Sequence, residues 1–93
     1  MREKDIEQSL LKAVKAKGGM ALKFISPGFD GVPDRIVLMP NGRIAFVELK
    51  SLGKKMRSIQ IKRKRQLESL GCLVYGIDSI EQIGGVLDEI NKG

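Results

Sequence analysis

The sequence predicts one α/β domain spanning residues 1–93, in which a mixed β-sheet is flanked by helices. Three observations support this fold class. Segments near both ends of the chain, and a basic segment over residues 57–70, have apolar residues at helical spacing. Short apolar runs bounded by glycine, proline and asparagine indicate strands. A helix separates the last two strands, and a strand-helix-strand unit of this kind favours a parallel pair.

The first helix is predicted over residues 3–17, where Ile6, Leu10 and Val14 recur every four residues. Gly18-Gly19 ends it. The predicted order of elements is α-β-β-β-α-β-α. The remaining elements are strands 20–25, 33–39 and 43–50, a helix over 57–70, a strand over 73–77, and a helix over 79–91 with Ser79 as its N-cap. Apolar residues on both faces of the second and third strands are typical of central strands.

The turn Pro40-Asn41-Gly42 between these two strands decides which residues lie opposite one another. A two-residue loop would pair Pro40 with Arg43. A three-residue loop would pair Met39 with Arg43, with Pro40 and Asn41 in a type I turn and Gly42 in the left-handed conformation. Proline suits the first central position of that turn, and glycine suits the position that follows it.

The length of this loop determines whether two acidic residues meet. With two residues, Glu48 points to the face opposite Asp34. With three residues, Asp34 lies opposite Glu48, with Cβ atoms roughly 4.5–5.5 Å apart. One face of the hairpin then comprises Asp34, Ile36, Leu38, Ile44, Phe46 and Glu48. We expect its apolar middle to be buried and the two acids to lie together at its end.

Two opposed carboxylates at a buried strand end are costly without a cation between them. Oxygen ligands of this kind select Mg²⁺ or Mn²⁺ over softer metals. Lys50 lies on the same face as Glu48 because side chains alternate along a strand. The alternative is that Glu48 and Lys50 are exposed charges at a fraying strand end and Asp34 is a turn residue. In a basic chain, the first pattern favours metal-assisted phosphodiester cleavage.

The charge balance favours a polyanionic partner such as nucleic acid, although ordinary solubilising charge is the alternative. The chain has 17 Lys and Arg against 11 Asp and Glu, a formal net charge of +6. A cationic run begins four residues after Lys50 and contains Lys54, Lys55, Arg57, Lys62, Arg63, Lys64 and Arg65. We predict phosphate contacts along this run, against the alternative of a solvated helix face.

Residue types that are scarce exclude several other chemistries. There is no histidine, so Ser-His and Cys-His catalysis and imidazole metal sites are absent. The single cysteine, Cys72, permits no intrachain disulfide and is predicted to be a small buried hydrophobe. The N-terminus lacks the apolar core of a signal peptide, and no run approaches the roughly 18 apolar residues of a membrane span. We therefore expect a soluble, cytoplasmic protein.

Taken together in this order, the motifs resemble the VRR-NUC domains of the PD-(D/E)xK nuclease superfamily. The matching residues are the helix with Glu7, Gly31-Val32-Pro33-Asp34, Glu48-Leu49-Lys50, Gly53-Lys54, the helix with Ser58 and Gln60, and Gly71 before Leu73-Val74-Tyr75. The resemblance implies a restriction-endonuclease-like fold and a metal-dependent, structure-specific DNA nuclease. Small free-standing members are similar to Holliday-junction resolvases and act as homodimers, so branched or junction DNA is the implied substrate.

The resemblance also implies roles for individual residues. The implied catalytic side chains are Glu7, Asp34, Glu48, Lys50 and Gln60. The two carboxylates of the hairpin and the backbone carbonyl of Leu49 would be metal ligands. Lys50 would position the attacking water and stabilise charge on the phosphate. Glu7 would hold a metal-bound water or a second ion, and Gln60 would orient Lys50 or the water.

Several alternatives remain open from the residues themselves. Glu7 borders the apolar stripe of its helix and is equally well explained as a helix-boundary carboxylate. Arg63 follows Gln60 on one helix face and either reaches a phosphate or covers the apolar stripe. The glycine-rich segment 26–31 is either a contact loop for the substrate or a plain turn. The whole protein could also be a non-catalytic nucleic-acid-binding or assembly module that retains the nuclease fold.

Overall fold

The computed structural model describes residues 2–92 and confirms the predicted order of elements. The helices are α1 (Glu3–Ala16), α2 (Ser58–Ser69) and α3 (Glu81–Lys92), and the strands are β1 (Met20–Lys23), β2 (Arg35–Met39), β3 (Arg43–Leu49) and β4 (Leu73–Ile77). A short 3₁₀ turn, Pro40–Gly42, joins β2 to β3. No helix within these residues is long and apolar enough to cross a membrane.

The start of α3 differs from the prediction. The helix begins at Glu81, so Ser79 is not its N-cap. The side chain of Gln82 instead accepts hydrogen bonds from the backbone N–H groups of Asp78 (2.7 Å) and Ser79 (3.2 Å). A glutamine in the first turn thus satisfies the backbone donors that lie before the helix, and the serine is not needed for this purpose.

The four strands form one sheet in the order β1-β2-β3-β4. The first three strands are antiparallel, and β3 and β4 are parallel. The predicted parallel pair and the predicted central position of β2 and β3 are confirmed. Because α2 connects two parallel neighbours, it must cross one face of the sheet between the end of β3 and the start of β4.

The hairpin register is the predicted one, because Met39 pairs with Arg43 across a three-residue loop. The predicted type I turn is wrong. Asn41 has φ 69° and Gly42 has φ 73°, so both residues adopt left-handed conformations. A type I turn needs a negative φ at its second central residue. Asparagine tolerates the left-handed region better than most residues because its short polar side chain bonds locally.

The main core lies on one face of the sheet, beneath α1 and α3. Its buried residues are Ile6, Leu10, Val14, Val37, Met39, Ala45, Val47, Leu49, Ile77, Ile83, Leu87 and Ile90. The strand residues of this set alternate along β2 and β3, so they share a face. The helix residues recur at spacings of three and four, so each of the two helices contributes one apolar stripe.

The opposite face of β2 and β3 was predicted to be buried, and this prediction is wrong. Ile44 is 52% exposed, and Ile36, Leu38 and Phe46 are only half-buried. Both faces of the two strands are apolar, so alternation alone could not identify the face that the amphipathic helices cover. On this second face α2 packs near β4, and Gln60 is its one buried residue. Cys72, predicted to be buried, is half-buried.

A close approach between β2 and the end of α1 depends on Gly19. A Cβ atom at this position would lie 2.5 Å from the Leu38 carbonyl oxygen and 2.6 Å from Met39 Sδ. We expect Gly19→Ala to lower the free energy of unfolding by about 1–3 kcal/mol, measured by urea denaturation. Gly84→Ala is the control, because nothing lies within 4 Å of a Cβ built there in α3. It should raise stability by about 0.5–1 kcal/mol. Equal effects of the two changes would contradict the predicted steric role of Gly19.

Candidate active site

Two carboxylates lie side by side where β2 begins and β3 ends. The pairing of Arg35 with Val47 places Asp34 opposite Glu48, one step beyond the last paired residues. Asp34 Oδ2 accepts a hydrogen bond of 2.8 Å from the backbone N–H of Leu49. The three-residue loop thus brings the two acids together on the second face of the sheet, as the sequence predicts.

Glu48 is enclosed, with only 2% of its surface exposed. Its Oε2 accepts a 2.6 Å hydrogen bond from Gln60 Nε2 and lies 3.3 Å from Lys50 Nζ. Its Oε1 is buried and has no hydrogen-bond partner in the described part of the chain. Burial and then the charge of Asp34 raise the pKa of Glu48, Glu3 adds a smaller rise, and Lys50 opposes them. A second cation beside Glu48 would therefore favour its charged form.

The backbone N–H and carbonyl of Leu49 both point toward the edge of β3 where the Asp34 carboxylate lies. The N–H of Lys50 bonds to the carbonyl of Ile77 on β4 (2.9 Å), whereas the N–H of Leu49 points to Asp34. The N–H and C=O of one strand residue face the same neighbouring strand. Since β2 begins at Arg35, the carbonyl of Leu49 lies beyond the end of the β2 ladder, on the side of Asp34.

Gln60 links the start of α2 to the buried acid. Its Oε1 accepts the backbone N–H of Arg57 at 2.8 Å, which satisfies a donor at the helix N-terminus. The amide nitrogen is thereby turned toward Glu48. The resemblance implied that Gln60 orients Lys50 or a water molecule; in the structure its amide bonds to Glu48 itself. The Gln60 side chain therefore faces the sheet.

Glu7 is not brought to the pair of acids. Its Oε2 forms a 2.9 Å ion pair with Arg35 Nη2. Arg35 directly follows Asp34, so its side chain points to the opposite, core-side face of the sheet. The catalytic role of Glu7 stays a prediction. Within residues 2–92, no three acidic, cysteine or histidine side chains form a group that could hold a metal ion. Among these residues, Asp34 and Glu48 therefore form a pair and not part of a larger acidic group.

Glu3 is the acidic residue that the sequence analysis missed. It lies in the first turn of α1, one turn before Glu7, and its charge contributes to the raised pKa of Glu48. The available signal was its position four residues before Glu7, which places both acids on one helix face.

The cationic run predicted to contact phosphates divides into separate groups. Lys54 and Lys55 line a cleft of about 240 Å³ together with Lys50. On the outer surface of α2, Lys62 and Arg65 are exposed, and so is Arg57 just before the helix. Lys64 pairs with Glu68 at 3.2 Å, and Arg63 turns inward to the loop before β2. The cleft beside Lys50 is the part of the run that adjoins the two acids.

Removing the amide of Gln60 tests how far it stabilises this arrangement. We expect Gln60→Leu to lower the free energy of unfolding by about 1–3 kcal/mol in urea, because Glu48 Oε2 loses its amide donor and the backbone N–H of Arg57 loses its acceptor. Gln8→Leu is the control, since Gln8 is exposed on α1. It should change stability by less than about 0.5 kcal/mol. Similar values for both variants would show that the amide contributes nothing specific.

Comparisons with known proteins identify relatives of this chain. No family model matches the sequence. The chain is 43% identical over 91 residues to a protein of Acyrthosiphon pisum secondary endosymbiont phage 1 named "Putative nuclease p44", covering 98% of this chain and 97% of that one. It superposes with a TM-score of 0.86 on a solved structure described as a VRR_NUC domain, at 26% identity over 92% of this chain and 94% of the other. The identity to the phage protein and the match to the solved domain show that the chain belongs to the VRR-NUC domain family.

Proposed function

We propose that the protein is a nuclease that hydrolyses DNA phosphodiester bonds with Mg²⁺ or Mn²⁺, and that it acts as an endonuclease on branched or junction DNA. The observation that supports this best is the opposed pair of Asp34 and Glu48 with Lys50 beside it. Family membership and the name of the phage relative support nuclease activity. The resemblance of the motifs to junction-resolving members supports the choice of branched DNA.

The residues present fit a hard divalent cation. Asp34, Glu48 and the Leu49 carbonyl offer only oxygen donors, which Mg²⁺ and Mn²⁺ prefer. The buried Oε1 of Glu48 has no hydrogen-bond partner among residues 2–92, and a ligand bond would satisfy it. A divalent ion held by these groups would lower the pKa of a water molecule and counter the negative charge of the scissile phosphate.

The protein's own groups have distinct tasks in this mechanism. Lys50 Nζ, 3.3 Å from Glu48, supplies a positive charge where negative charge grows on the phosphate. Gln60 holds the Glu48 carboxylate in one orientation through its 2.6 Å hydrogen bond. The N–H of Leu49 does the same for Asp34 at 2.8 Å. Both carboxylates are thus held in position before substrate arrives, which reduces the entropic cost of reaching the reactive geometry.

The cleft beside Lys50 supports a path for the DNA backbone. Lys54 and Lys55 line it and are exposed, so they can bind phosphates next to the scissile one. Contacts of this kind give affinity without reading sequence, and they weaken as salt increases. Structure-specific cleavage needs this property, because a branched substrate is recognised by its shape.

A homodimer is the proposed acting form, and an exposed apolar sheet surface supports it. We call this surface the open sheet face; it consists of Met20, Leu22, Ile36, Leu38, Ile44 and Phe46. Met20, Leu22 and Ile44 are 59%, 45% and 52% exposed. Contiguous exposed apolar surface of this kind is typical of a protein interface. A second copy could cover it through a two-fold axis and would supply a second site for the second strand of a junction.

The first test measures cleavage of four-way junction, flap, duplex and single-stranded DNA. We expect the wild type to cut junction DNA with Mg²⁺ or Mn²⁺ and to lose activity in EDTA. Asp34→Asn, Glu48→Gln and Lys50→Ala should each slow cleavage by at least about 100-fold, since each removes charge stabilisation at the reacting phosphate. Lys12→Ala, an exposed change on α1, is the control.

Binding in EDTA, followed by fluorescence anisotropy, distinguishes the alternatives. The nuclease assignment predicts that the three site variants bind junction DNA nearly as well as the wild type. Cutting that survives EDTA, or wild-type rates in these variants, would reject the proposal. Tight binding by a wild-type protein that never cuts would instead support the non-catalytic module.

The dimer is tested by sedimentation equilibrium at micromolar concentration. We expect a dimer for the wild type and a monomer for Ile44→Lys, because a lysine within the open sheet face cannot be buried without a partner. Leu70→Lys is the control, as Leu70 is 79% exposed and lies outside this face. A wild-type species of 10.3 kDa would contradict the proposed dimer.

A further inference from the structure

The loop that precedes Asp34 is pressed against α2 at Gly31. Gly31 has φ +87°, and a Cβ atom built there would lie 2.8 Å from Ile59 Cγ1 and 2.9 Å from the Ile59 carbonyl oxygen. Ile59 directly precedes Gln60, the residue that holds Glu48. The loop and the buried acid therefore contact α2 at adjacent residues.

Arg63, one helical turn after Ile59, holds the same loop from a second side. Its Nε donates a 2.7 Å hydrogen bond to the carbonyl of Asp30. Its Cζ lies 3.7 Å from the centroid of the Phe29 ring, close enough for a cation–π interaction. Its Nη1 donates to Gln66 Oε1 at 3.0 Å. The guanidinium is thus bound within the protein, whereas Lys62 next to it is exposed.

The chain between this contact and Asp34 is short and stiff. Only Val32 and Pro33 separate Gly31 from Asp34; Pro33 is buried, and its ring restricts φ. A shift of the loop at Asp30 or Gly31 therefore moves the Asp34 carboxylate. An error of about 1 Å in a catalytic group is enough to slow a reaction by roughly 100-fold.

We propose that Arg63 is a positioning residue that fixes Asp34 relative to Glu48 by clamping residues 29–31 to α2, and that it is not a phosphate ligand. The inference rests on the proposed nuclease function. Through this clamp a single helix positions both acids, Glu48 directly through Gln60 and Asp34 through the loop. Lysine cannot replace Arg63, because it lacks both the Nε donor and the planar group that stacks on the ring.

The experiment compares Arg63→Ala and Arg63→Lys with Lys62→Ala, a neighbouring exposed cation on the same helix. Three quantities are measured on the full chain: Mn²⁺ affinity without DNA by EPR, the salt dependence of junction binding in EDTA, and the single-turnover cleavage rate at saturating DNA. For both Arg63 variants we expect Mn²⁺ affinity about tenfold weaker and cleavage about 10–100-fold slower. The slope of log K against log[salt] should stay at the wild-type value.

Lys62→Ala should behave in the opposite way, with a slope smaller by about 0.9 if it contacts one phosphate, and with unchanged Mn²⁺ affinity. An Arg63→Ala variant that loses about 0.9 in slope and keeps its Mn²⁺ affinity would make Arg63 a phosphate contact and overturn the inference. Rescue by Arg63→Lys, or no effect on any quantity, would also overturn it.

A variant that does not fold and an inactive wild type are covered by two further measurements. If Arg63→Ala does not fold, as judged by circular dichroism, Phe29→Leu removes the cation–π partner alone and should weaken Mn²⁺ binding by about threefold. An unchanged Mn²⁺ affinity in Phe29→Leu would then reject the clamp. A wild type that neither binds Mn²⁺ nor cuts DNA would defeat the proposed function itself, and the inference with it. An active wild type beside unaffected Arg63 variants would defeat the inference alone.

Discussion

The backbone pairing of β2 with β3 fixes both the hydrophobic core and the candidate active site. With Met39 opposite Arg43, one face of the hairpin supplies Val37, Ala45 and Val47 to the core. The other face brings the two acids together. A slip of one residue in either strand would reverse that strand's faces and would turn one acid toward the apolar core. The same register thus both forms the core and assembles the site.

Hydrophobic patterning is a weak guide to this register, because β2 and β3 are apolar on both faces. The turn residues supply the information about register that the hydrophobic pattern does not. Asn41 and Gly42 both accept left-handed conformations, and this geometry closes a loop of three residues. The conformational preferences of these two residues therefore help to position carboxylates that lie at the far end of the hairpin.

The helix α2 differs from its two companions in what it packs against. α1 and α3 each bury an apolar stripe, whereas the one buried residue of α2 is the polar Gln60. It contacts β4, Glu48 through that amide, and the loop at residues 29–31. Such a helix adds little to the hydrophobic core. Instead, α2 helps to hold two carboxylates close together. Such a pair is unfavourable without a cation, and costs of this kind are common where function is retained at the expense of stability.

Local patterns in the sequence predict the order of elements, and the turn residues favour the three-residue hairpin loop that sets Asp34 opposite Glu48. These features follow from local spacing, turn chemistry and the two-residue period of a strand, all of which are short-range. Which sheet face is buried depends on where α1 and α3 pack, and this cannot be read from local patterns. The tertiary structure also decided the partners of long side chains: Glu7 pairs with Arg35, and Arg63 reaches Asp30. Flexible charged side chains can reach several partners, and distances between packed elements select among them.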